Sequence, residues 1–386
     1  MRQHKVSENH LTNTVFLPDC QAAFWFGSQV FLFLNTPAPM IEITKHGVIL
    51  HITDLVFENA GVLNPAVIRE GDFLHLFYRA VRKGNYSTIG YCRLEGPLTV
   101  VERFDMPVLF PQREEESHGI EDPRITKIDG LYYMTFTAYD GINALGAYAT
   151  TEKLPIFEKK GILTAQITYT DFRRLAESQS PLNEKYLRFN GYKPPLANLG
   201  KPALLWDKNV VFFPRRIDGK LFFLHRIKPD IQIVGVYDLS ELTTAFWEDY
   251  FLRFKEHILM EPQFDHEVSY LGAGCTPIET AEGWLIIYHG VHDTSTGYQY
   301  VCCAALLDLE NPAKEIARLP YAMFKPEFDW ELKGEVNNVC FPTGAALFGD
   351  TLYIYYGAAD ERIACASVCL SKLITELLLN RKEHES

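Results

Sequence analysis

The chain has 386 residues, of which 47% are hydrophobic and 22% are charged, and its formal net charge is -12. This length is enough for one large domain or two ordinary ones, and the 26 Phe and 20 Tyr favour strands over helices. An acidic chain is a poor partner for nucleic acid, which is held by clustered Lys and Arg, whereas a neutral substrate is not excluded.

The first element in chain order is an apolar stretch over residues 22–34, which follows a long polar lead containing Glu8, His10 and Asp19. A secretory signal would have a short basic start, and the stretch is too short to span a bilayer. We therefore predict an opening strand or packing segment, no membrane association and a cytoplasmic location. The eight cysteines do not have a zinc-binding spacing and are expected to be buried thiols in a reducing compartment.

One pattern then recurs five times along the chain. It consists of a polar or Pro-containing lead, a short strand, a tight turn and an aromatic-rich strand. Asp-Gly and related pairs supply the positive φ that a tight hairpin turn needs. The turns lie at residues 70–72, 129–130, 218–219, 282–283 and 349–350. Such intervals hold a four-stranded sheet with a variable loop, so we predict an all-β, five-bladed β-propeller in a single domain over residues 1–386. A β-sandwich is the alternative.

Two segments do not fit the repeat. Residues 171–178 are predicted to be helical, within an insertion that spans about residues 165–204. The insertion is expected to be an elaborated loop, with a binding-site wall or a subunit contact as alternatives. Residues 371–382 predict an amphipathic C-terminal helix with its leucines on one side. Whether the chain forms a homo-oligomer stays open.

The innermost strand of each propeller blade lines a central channel, so polar residues of the repeated leads should converge there. The residues predicted to do so are Asn64, Asp122, Asn209 and Glu267, joined from the second strands by Arg79, Asp140, Arg226, Tyr288, His289 and Asp360. Sugar hydroxyls need polar partners and sugar rings pack on aromatic faces. The sequence therefore predicts a carbohydrate site.

Asp122 is the candidate proton donor for cleavage of a glycosidic bond. It lies in the ionisable stretch Glu121-Asp122-Pro123-Arg124. The residues alone leave open whether Asp122 is catalytic or braces a blade by pairing with Arg124, and for Glu121 we favour the bracing pair. His289 and His292 form an H-x-x-H without a third ligand, so no metal site is predicted.

Four segments resemble, in the right order, glycoside hydrolase family 130, which contains β-mannoside phosphorylases and β-mannosidases. They are residues 119–126 (GIEDPRIT), 209–226 (NVVFFPRRIDGKLFFLHR), 283–291 (GWLIIYHGV) and 355–360 (YYGAAD). The resemblance covers the chain from about residue 64 to the C-terminus. It implies a five-bladed propeller, a β-mannoside oligosaccharide substrate and inversion at the anomeric carbon.

The resemblance also implies roles for individual residues. The family's acid falls on Asp122, whose proton is thought to pass through a mannose hydroxyl in the phosphorylases, and its sugar-binding positions fall on Asn64, Arg79 and Asp360. No cofactor is implied, except that inorganic phosphate is the co-substrate of a phosphorylase.

The family's phosphate site is only partly kept. Family phosphorylases bind phosphate with an Arg-Asn pair, a second Arg, a Lys and a His. Here the pair reads Lys208-Asn209, the second Arg and the His are kept as Arg226 and His289, and the Lys position reads Tyr270. Relative to the family, the position of Tyr270 has lost a cation. The position of Lys208 has an ammonium group, which acts as a point charge, where the family has a guanidinium that can bind phosphate with two hydrogen bonds. We therefore expect hydrolysis, with phosphorolysis that releases mannose 1-phosphate as the alternative.

An inverting hydrolase needs a base that activates water. Glu267 is the predicted base and Asp265 is its rival, with a solvated or sugar-binding Glu267 as the alternative. Two further alternatives are a sugar-binding propeller without catalysis and a five-bladed furanosidase. The furanosidase is disfavoured because the first blade has Asn64 where an Asp would be expected.

Overall fold

The structure is a computed structural model that describes residues 23–26, 29–32, 41–190, 200, 202–295 and 297–382. The chain divides into two compact units, residues 1–40 and residues 41–386. In the first unit, strands β1 (Ala23–Phe26) and β2 (Gln29–Leu32) pair in antiparallel fashion. The apolar stretch predicted to be an opening strand or a packing segment therefore contains two short strands.

The second unit consists mainly of β-strands, as its content of aromatic and β-branched residues predicts. Its strands are β3 (Thr44–Leu50), β4 (Gly61–Glu70), β5 (Phe73–Arg82), β6 (Tyr86–Glu95), β7 (Thr99–Arg103), β8 (Gly119–Ile128), β9 (Leu131–Tyr139), β10 (Ala144–Thr151), β11 (Glu158–Ile162), β12 (Lys208–Phe212), β13 (Leu221–Arg226), β14 (Ile231–Val236), β15 (Ile258–Met260), β16 (Tyr270–Ala273), β17 (Ile278–Thr280), β18 (Gly283–Thr294), β19 (Gly297–Leu307), β20 (Glu315–Arg318), β21 (Cys340–Phe348), β22 (Thr351–Ala358) and β23 (Arg362–Cys369).

These strands pair with their sequence neighbours in five consecutive groups, which we call sets 1 to 5. Set 1 is β4–β7, set 2 is β8–β11, set 3 is β12–β15, set 4 is β16–β20, and set 5 is β21–β23 with β3. Sets 1 and 2 are joined by a single parallel bridge between Ser87 and Gly119. Set 5 is completed by β3, which comes from the opposite end of the unit and pairs with β23.

The five predicted hairpin turns are confirmed. Four of them directly join paired strands, namely β4–β5, β8–β9, β17–β18 and β21–β22. At the third turn, Ile217 bridges Lys220 ahead of the β12–β13 pair. Glycines in these turns have positive φ, for example 86° at Gly130 and 76° at Gly219, so the turn chemistry read from the sequence is the cause of each reversal.

The first strands of sets 1, 2 and 3 each carry a bulge at a polar residue. The pairing register shifts around Asn64, Asp122 and Asn209, and their φ angles are 51°, 51° and 56°. Asn and Asp tolerate this left-handed region better than most residues with a Cβ atom. A bulge also redirects a side chain, so each strand turns an amide or a carboxylate out of its ladder.

Five apolar clusters lie between successive sets. Neighbouring residues on one strand serve opposite clusters, because side chains alternate between the two faces of a sheet. Residues that share a cluster include Phe77 with Met134 (sets 1 and 2), Ile128 with Phe223 (sets 2 and 3), Leu224 with Trp284 (sets 3 and 4), Leu285 with Ile354 (sets 4 and 5) and Tyr355 with Leu76 (sets 5 and 1).

A buried glutamate precedes the first strand of four sets and pairs with a cation from the last strand. The pairs are Glu58–Arg103, Glu116–Lys159, Glu267–Arg318 and Glu331–Lys45. Each of these glutamates is at most 2% exposed. Three of them also accept a hydrogen bond from a tyrosine on a middle strand, namely Tyr78, Tyr288 and Tyr356. The repeated motif fastens the loop ahead of each first strand to its own sheet.

The described α-helices are α1 (Tyr169–Ala176), α2 (Glu184–Asn190), α3 (Thr244–Leu252), α4 (Asp329–Leu332) and α5 (Leu370–Leu379). The helix predicted at residues 171–178 corresponds to α1, which Thr168 caps by accepting a bond from the backbone N–H of Asp171. The helix predicted at residues 371–382 corresponds to α5, which buries Leu373 and Leu377. None of the described helices is long and apolar enough to cross a membrane.

Candidate active site

Asp122 lies in a cluster of charged and amide side chains from sets 1, 2 and 3. Asn64 Nδ2 donates to Asp122 Oδ1 at 2.8 Å. The Arg79 guanidinium lies 3.5 Å from the same oxygen and 2.9 Å from Glu121 Oε1. The other oxygen of Glu121 accepts from Lys208 Nζ at 3.0 Å. The structure therefore brings four of the predicted site residues together around Glu121.

Cations around Asp122 decide its protonation. Burial raises the pKa of Asp122, but Arg79, Lys208, Arg124 and the bond from Asn64 outweigh burial and hold this pKa at about 2. The carboxyl group is therefore ionised at neutral pH, and an acid role requires a change in its electrostatic surroundings.

Asp360 joins the same electrostatic cluster from the turn between β22 and β23. Its backbone and that of Ala359 are left-handed, with φ of 51° and 49°. Burial raises the pKa of Asp360 to about 6, with Arg79 opposing the shift and Asp122 adding to it. Two nearby carboxyl groups with pKa values pushed apart are typical of acid–base sites.

The bracing pair predicted between Glu121 and Arg124 is wrong. Arg124 donates to backbone carbonyls, with its Nε 2.5 Å from Gly274 O and its Nη1 2.9 Å from Asp122 O. The bulge at Asp122 turns Arg124 toward set 4, which leaves the Glu121 carboxylate to Arg79 and Lys208.

The four predicted phosphate-binding residues lie together across sets 3 and 4. Lys208 and Arg226 are directly opposite one another in the β12–β13 pair, and Arg226 Nη1 lies 3.2 Å from His289 Nε2. His289 is opposite Gly272 in the β16–β18 pair. A Cβ atom at position 272 would lie 2.3 Å from His289 Cε1 and 2.7 Å from Asn209 Nδ2, so glycine is what allows these side chains to approach the strand.

Several buried polar atoms at this site have no hydrogen-bond partner among the described residues. They are Asn64 Oδ1, both side-chain polar atoms of Asn209, Arg226 Nε and His289 Nδ1. Burial, together with Arg226, lowers the pKa of His289 well below its usual value, so its neutral ring accepts from Arg226 at Nε2 and carries its proton on Nδ1. Unpaired buried donors are costly. The three donors among these atoms, Asn209 Nδ2, Arg226 Nε and His289 Nδ1, indicate a site for an anionic ligand, whereas the two amide oxygens are acceptors.

Beside these residues is a pocket of about 120 Å³. Three cations and three aromatic residues are among its lining side chains, namely Lys208, Arg226, Lys228, Tyr169, Phe189 and Trp206. Two of the aromatic residues, Tyr169 and Phe189, belong to the predicted insertion, which therefore contributes a wall of this pocket. The sequence prediction did not include Lys228, which lies in the turn just beyond β13.

Asp140, predicted to bind sugar, shapes the turn between β9 and β10. Its Oδ1 accepts from the backbone N–H of Ile142 at 2.9 Å and of Asn143 at 2.7 Å. Its contact with sugar stays a prediction.

Glu267 and Tyr288 do not suit their predicted roles. Both are fully buried. Glu267 accepts from Tyr288, from Arg318 and from the backbone N–H groups of Gln263 and Phe264. A carboxylate enclosed by these donors cannot reach water or sugar, which argues against Glu267 as a base and Tyr288 as a sugar contact. Its rival Asp265 is exposed and lines a different pocket.

Comparison with known proteins gives a consistent result. The sequence profile of glycoside hydrolase family 130, described as beta-1,4-mannooligosaccharide phosphorylase, matches residues 38–378. The chain is 34% identical over 321 residues to a 1,2-beta-oligomannan phosphorylase from Thermoanaerobacter sp., covering 80% of this chain and 90% of that protein. It is 33% identical over 343 residues to a beta-1,2-mannobiose phosphorylase from the same organism, covering 85% and 97% of the two chains.

A solved structure shares the fold. The beta-1,2-mannobiose phosphorylase from Listeria innocua, in complex with beta-1,2-mannobiose, superimposes with a TM-score of 0.66 at 24% identity, over 88% of this chain and 99% of that chain. The family profile and the two relatives establish that the chain belongs to glycoside hydrolase family 130, a family of glycoside phosphorylases and hydrolases.

Proposed function

We propose that this protein is a β-mannoside phosphorylase that cleaves β-1,2-linked mannosides with inorganic phosphate and releases mannose 1-phosphate. The observation that carries the proposal is the group of buried, unpartnered donors on Asn209, Arg226 and His289 beside Lys208. A phosphate dianion needs several charge-assisted hydrogen bonds to offset its desolvation. The names of the relatives, both phosphorylases of β-1,2-linked mannosides, support the same reaction.

The local charge balance also favours an anionic co-substrate. Although the chain carries a formal charge of -12, the described site concentrates cations. Arg79, Arg124, Lys208, Arg226 and Lys228 are interspersed there with the carboxylates of Glu121, Asp122 and Asp360. A cationic cleft on an acidic protein raises the local concentration of an anion.

Hydrolysis, the reaction expected from the sequence, has less support. It requires a base that activates water, and neither Glu267 nor Asp265 lies where it can do so. The sequence favoured hydrolysis because Lys208 and Tyr270 replace an Arg and a Lys of the family's phosphate site. That prediction did not count Lys228, which lines the same pocket as Lys208 and Arg226. Catalytically inactive sugar binding is also disfavoured, because the Asp122 cluster of the family is intact.

The proposed reaction assigns a role to each part of the site. A phosphate oxygen held by Lys208, Asn209, Arg226 and His289 forms a bond to the anomeric carbon as the glycosidic bond on its opposite face breaks. The leaving oxygen takes the proton that Asp122 supplies, directly or through a mannose hydroxyl. The charge of bound phosphate offsets Lys208, which raises the pKa of Asp122 toward the range that an acid needs.

Asn64, Arg79 and Asp360 are proposed to bind the mannose that is transferred, and Asp140 is proposed to contact sugar. No cofactor is proposed, and phosphate is the co-substrate. Inversion converts the β-linked substrate into α-mannose 1-phosphate.

We also propose that residues 41–382 form a five-bladed β-propeller, with sets 1 to 5 as its blades. Five consecutive sets, five apolar clusters and the packing of set 5 on set 1 support this arrangement.

A single domain and a cytoplasmic location stay proposals. The location is supported by the seven described cysteines, which are all free thiols.

The reverse reaction tests the proposed function. Purified protein is incubated with α-mannose 1-phosphate and mannose, and the products are analysed. We expect β-1,2-mannobiose and an equal amount of inorganic phosphate, since a phosphorylase runs in both directions and a hydrolase has no such synthetic activity.

The matched control is Asp122→Asn, which keeps the side-chain size and tolerates φ of 51°. Its rate should fall by about 100-fold or more. Wild-type protein that makes neither a disaccharide with mannose as acceptor nor a trisaccharide with β-1,2-mannobiose as acceptor would contradict the proposal.

A further inference from the structure

Lys228 lies over the residue that replaces a family cation. Family phosphorylases carry a phosphate-binding lysine at the position that reads Tyr270 here. In the structure, the Lys228 ammonium is 3.8 Å from the centroid of the Tyr270 ring. Lys228, which follows β13, therefore lies directly beside the β16 position at which the family carries its lysine.

The geometry that holds Lys228 in this place is well defined. Asn190 Nδ2 donates to the backbone carbonyl of Lys228 at 2.8 Å, and the next carbonyl, that of Pro229, accepts from the backbone N–H of Leu271 at 2.8 Å. The hydroxyl of Tyr270 is hydrogen-bonded to that of Tyr300, which fixes the aromatic face under the ammonium. Cation–π attraction adds to this positioning.

Lys228 has cationic neighbours and no described counter-ion. It lines the pocket together with Lys208 and Arg226, and no carboxylate of the described residues pairs with it. Burial, together with Arg226 and Lys208, lowers the pKa of Lys228 to about 6. At neutral pH Lys228 is therefore mostly uncharged while no anion is bound, and a bound anion favours its protonated, cationic form.

We infer that Lys228 is the third cation of the phosphate site and replaces the lysine that family phosphorylases carry at the position of Tyr270. The inference rests on the proposed function and names a residue that completes its phosphate site. In this arrangement Lys228 binds phosphate from the side of β13, together with Lys208 and Arg226. The substitution at position 270 therefore leaves the number of cations unchanged.

The first test is the Lys228→Met variant, in which phosphate affinity is measured in two ways. One is KM for phosphate against KM for the mannoside, and the other is equilibrium binding of inorganic phosphate by calorimetry. Loss of a hydrogen-bonded charge predicts that phosphate KM and Kd rise by roughly 10- to 100-fold, while KM for the mannoside changes by about twofold or less. The matched control is Lys220→Met, because Lys220 also lies over a tyrosine ring, that of Tyr237, on another part of set 3. This control should bind phosphate like wild type.

The second test removes Lys228 and places a lysine on β16 instead. The double variant Lys228→Met/Tyr270→Lys carries a lysine at the family's own position, and we expect it to recover most of the lost phosphate affinity, as should Lys228→Arg. A purely structural role for Lys228 would not be rescued by a lysine on β16. If wild type binds phosphate and Lys228→Met binds it equally well, or if neither rescue restores affinity, the inference is wrong. If wild-type protein neither binds phosphate nor uses it, the proposed function itself fails.

Discussion

Asp122 and Glu267 are both largely buried acids, and the partners of each residue separate their roles. The Asp122 side chain is 10% exposed, accepts one bond from Asn64 and lies 3.5 Å from the Arg79 guanidinium. Glu267 is completely buried and accepts from four donors that belong to the protein itself. The first environment suits a group that meets substrate, and the second suits a group that holds the fold.

Substitution of these acids should affect different properties. Glu267→Gln leaves Arg318 without its full counter-charge and should destabilise the protein by about 3–5 kcal/mol, while the folded fraction keeps kcat within a few-fold of wild type. Asp122→Asn should lose kcat with a smaller fall in Tm, because Arg79 keeps Glu121 as a partner. Thermal unfolding and kcat are measured for both variants.

Glu116→Gln is the control for this comparison, since Glu116 holds Lys159 in the same motif of set 2 and has no predicted chemistry. It should lower Tm about as much as Glu267→Gln. A Glu267→Gln variant with an unchanged Tm and a large loss of kcat would instead assign Glu267 to the reaction.

At the scale of single residues, the sequence predicts which residues lie near the site better than it predicts how their side chains are oriented. The contact between Asn64 and Asp122 was predictable, because a polar residue recurs at the same point of the leads of sets 1, 2 and 3. The burial of Glu267 was not, because it depends on contacts with β20 and with Tyr288, which are distant in sequence. Lys228 lies just beyond β13 and outside the family motif, so no local pattern marked it.

At the scale of elements, helix α2 is held against the start of β14 by a buried polar contact. Tyr186 donates to the carboxylate of Asp230, and Gln232 donates to Tyr186 at 3.1 Å. Burial raises the pKa of Asp230 to about 7, opposed by the bond from Tyr186. Lys228 is two residues away and Asn190 of α2 binds its carbonyl, so this contact also supports the pocket.

The stability of the protein should therefore depend on pH through Asp230. Its pKa in the folded state is raised above the unfolded value of about 4. The stabilising contribution of the protonated form is fully present below about pH 4 and is lost as pH rises through about 7. Tm of wild type should thus fall between about pH 4 and 7 more steeply than Tm of Asp230→Asn, which cannot ionise. Parallel Tm curves for the two proteins over this range would contradict the assignment.

Elements with local causes were the predictable ones. The five hairpins follow from turns such as Asp129-Gly130, and α1 and α5 follow from apolar spacing. The bulges, the ion pairs of the four buried glutamates that precede first strands, and the pairing of β3 with β23 depend on contacts between distant segments. No local pattern encodes such contacts.

At the scale of the whole molecule, all five sets contribute to the proposed site. Asn64 and Arg79 come from set 1, Asp122 from set 2, Asn209 from set 3 and His289 from set 4, and the turn that carries Asp360 belongs to set 5. The site therefore exists only when the sets have assembled, which requires β3 to complete set 5. This explains why the repeat count in the sequence is informative about function as well as fold.

The central claim is that phosphate, and not water, takes the mannosyl group. The most direct measurement incubates the protein with β-1,2-mannobiose in oxygen-18-labelled water, with and without inorganic phosphate, and follows the products by phosphorus NMR and mass spectrometry. The proposed site predicts α-mannose 1-phosphate without oxygen-18 at its anomeric oxygen, and no turnover when phosphate is left out. Labelled mannose that forms at the same rate with and without phosphate would contradict the claim and identify the enzyme as a hydrolase.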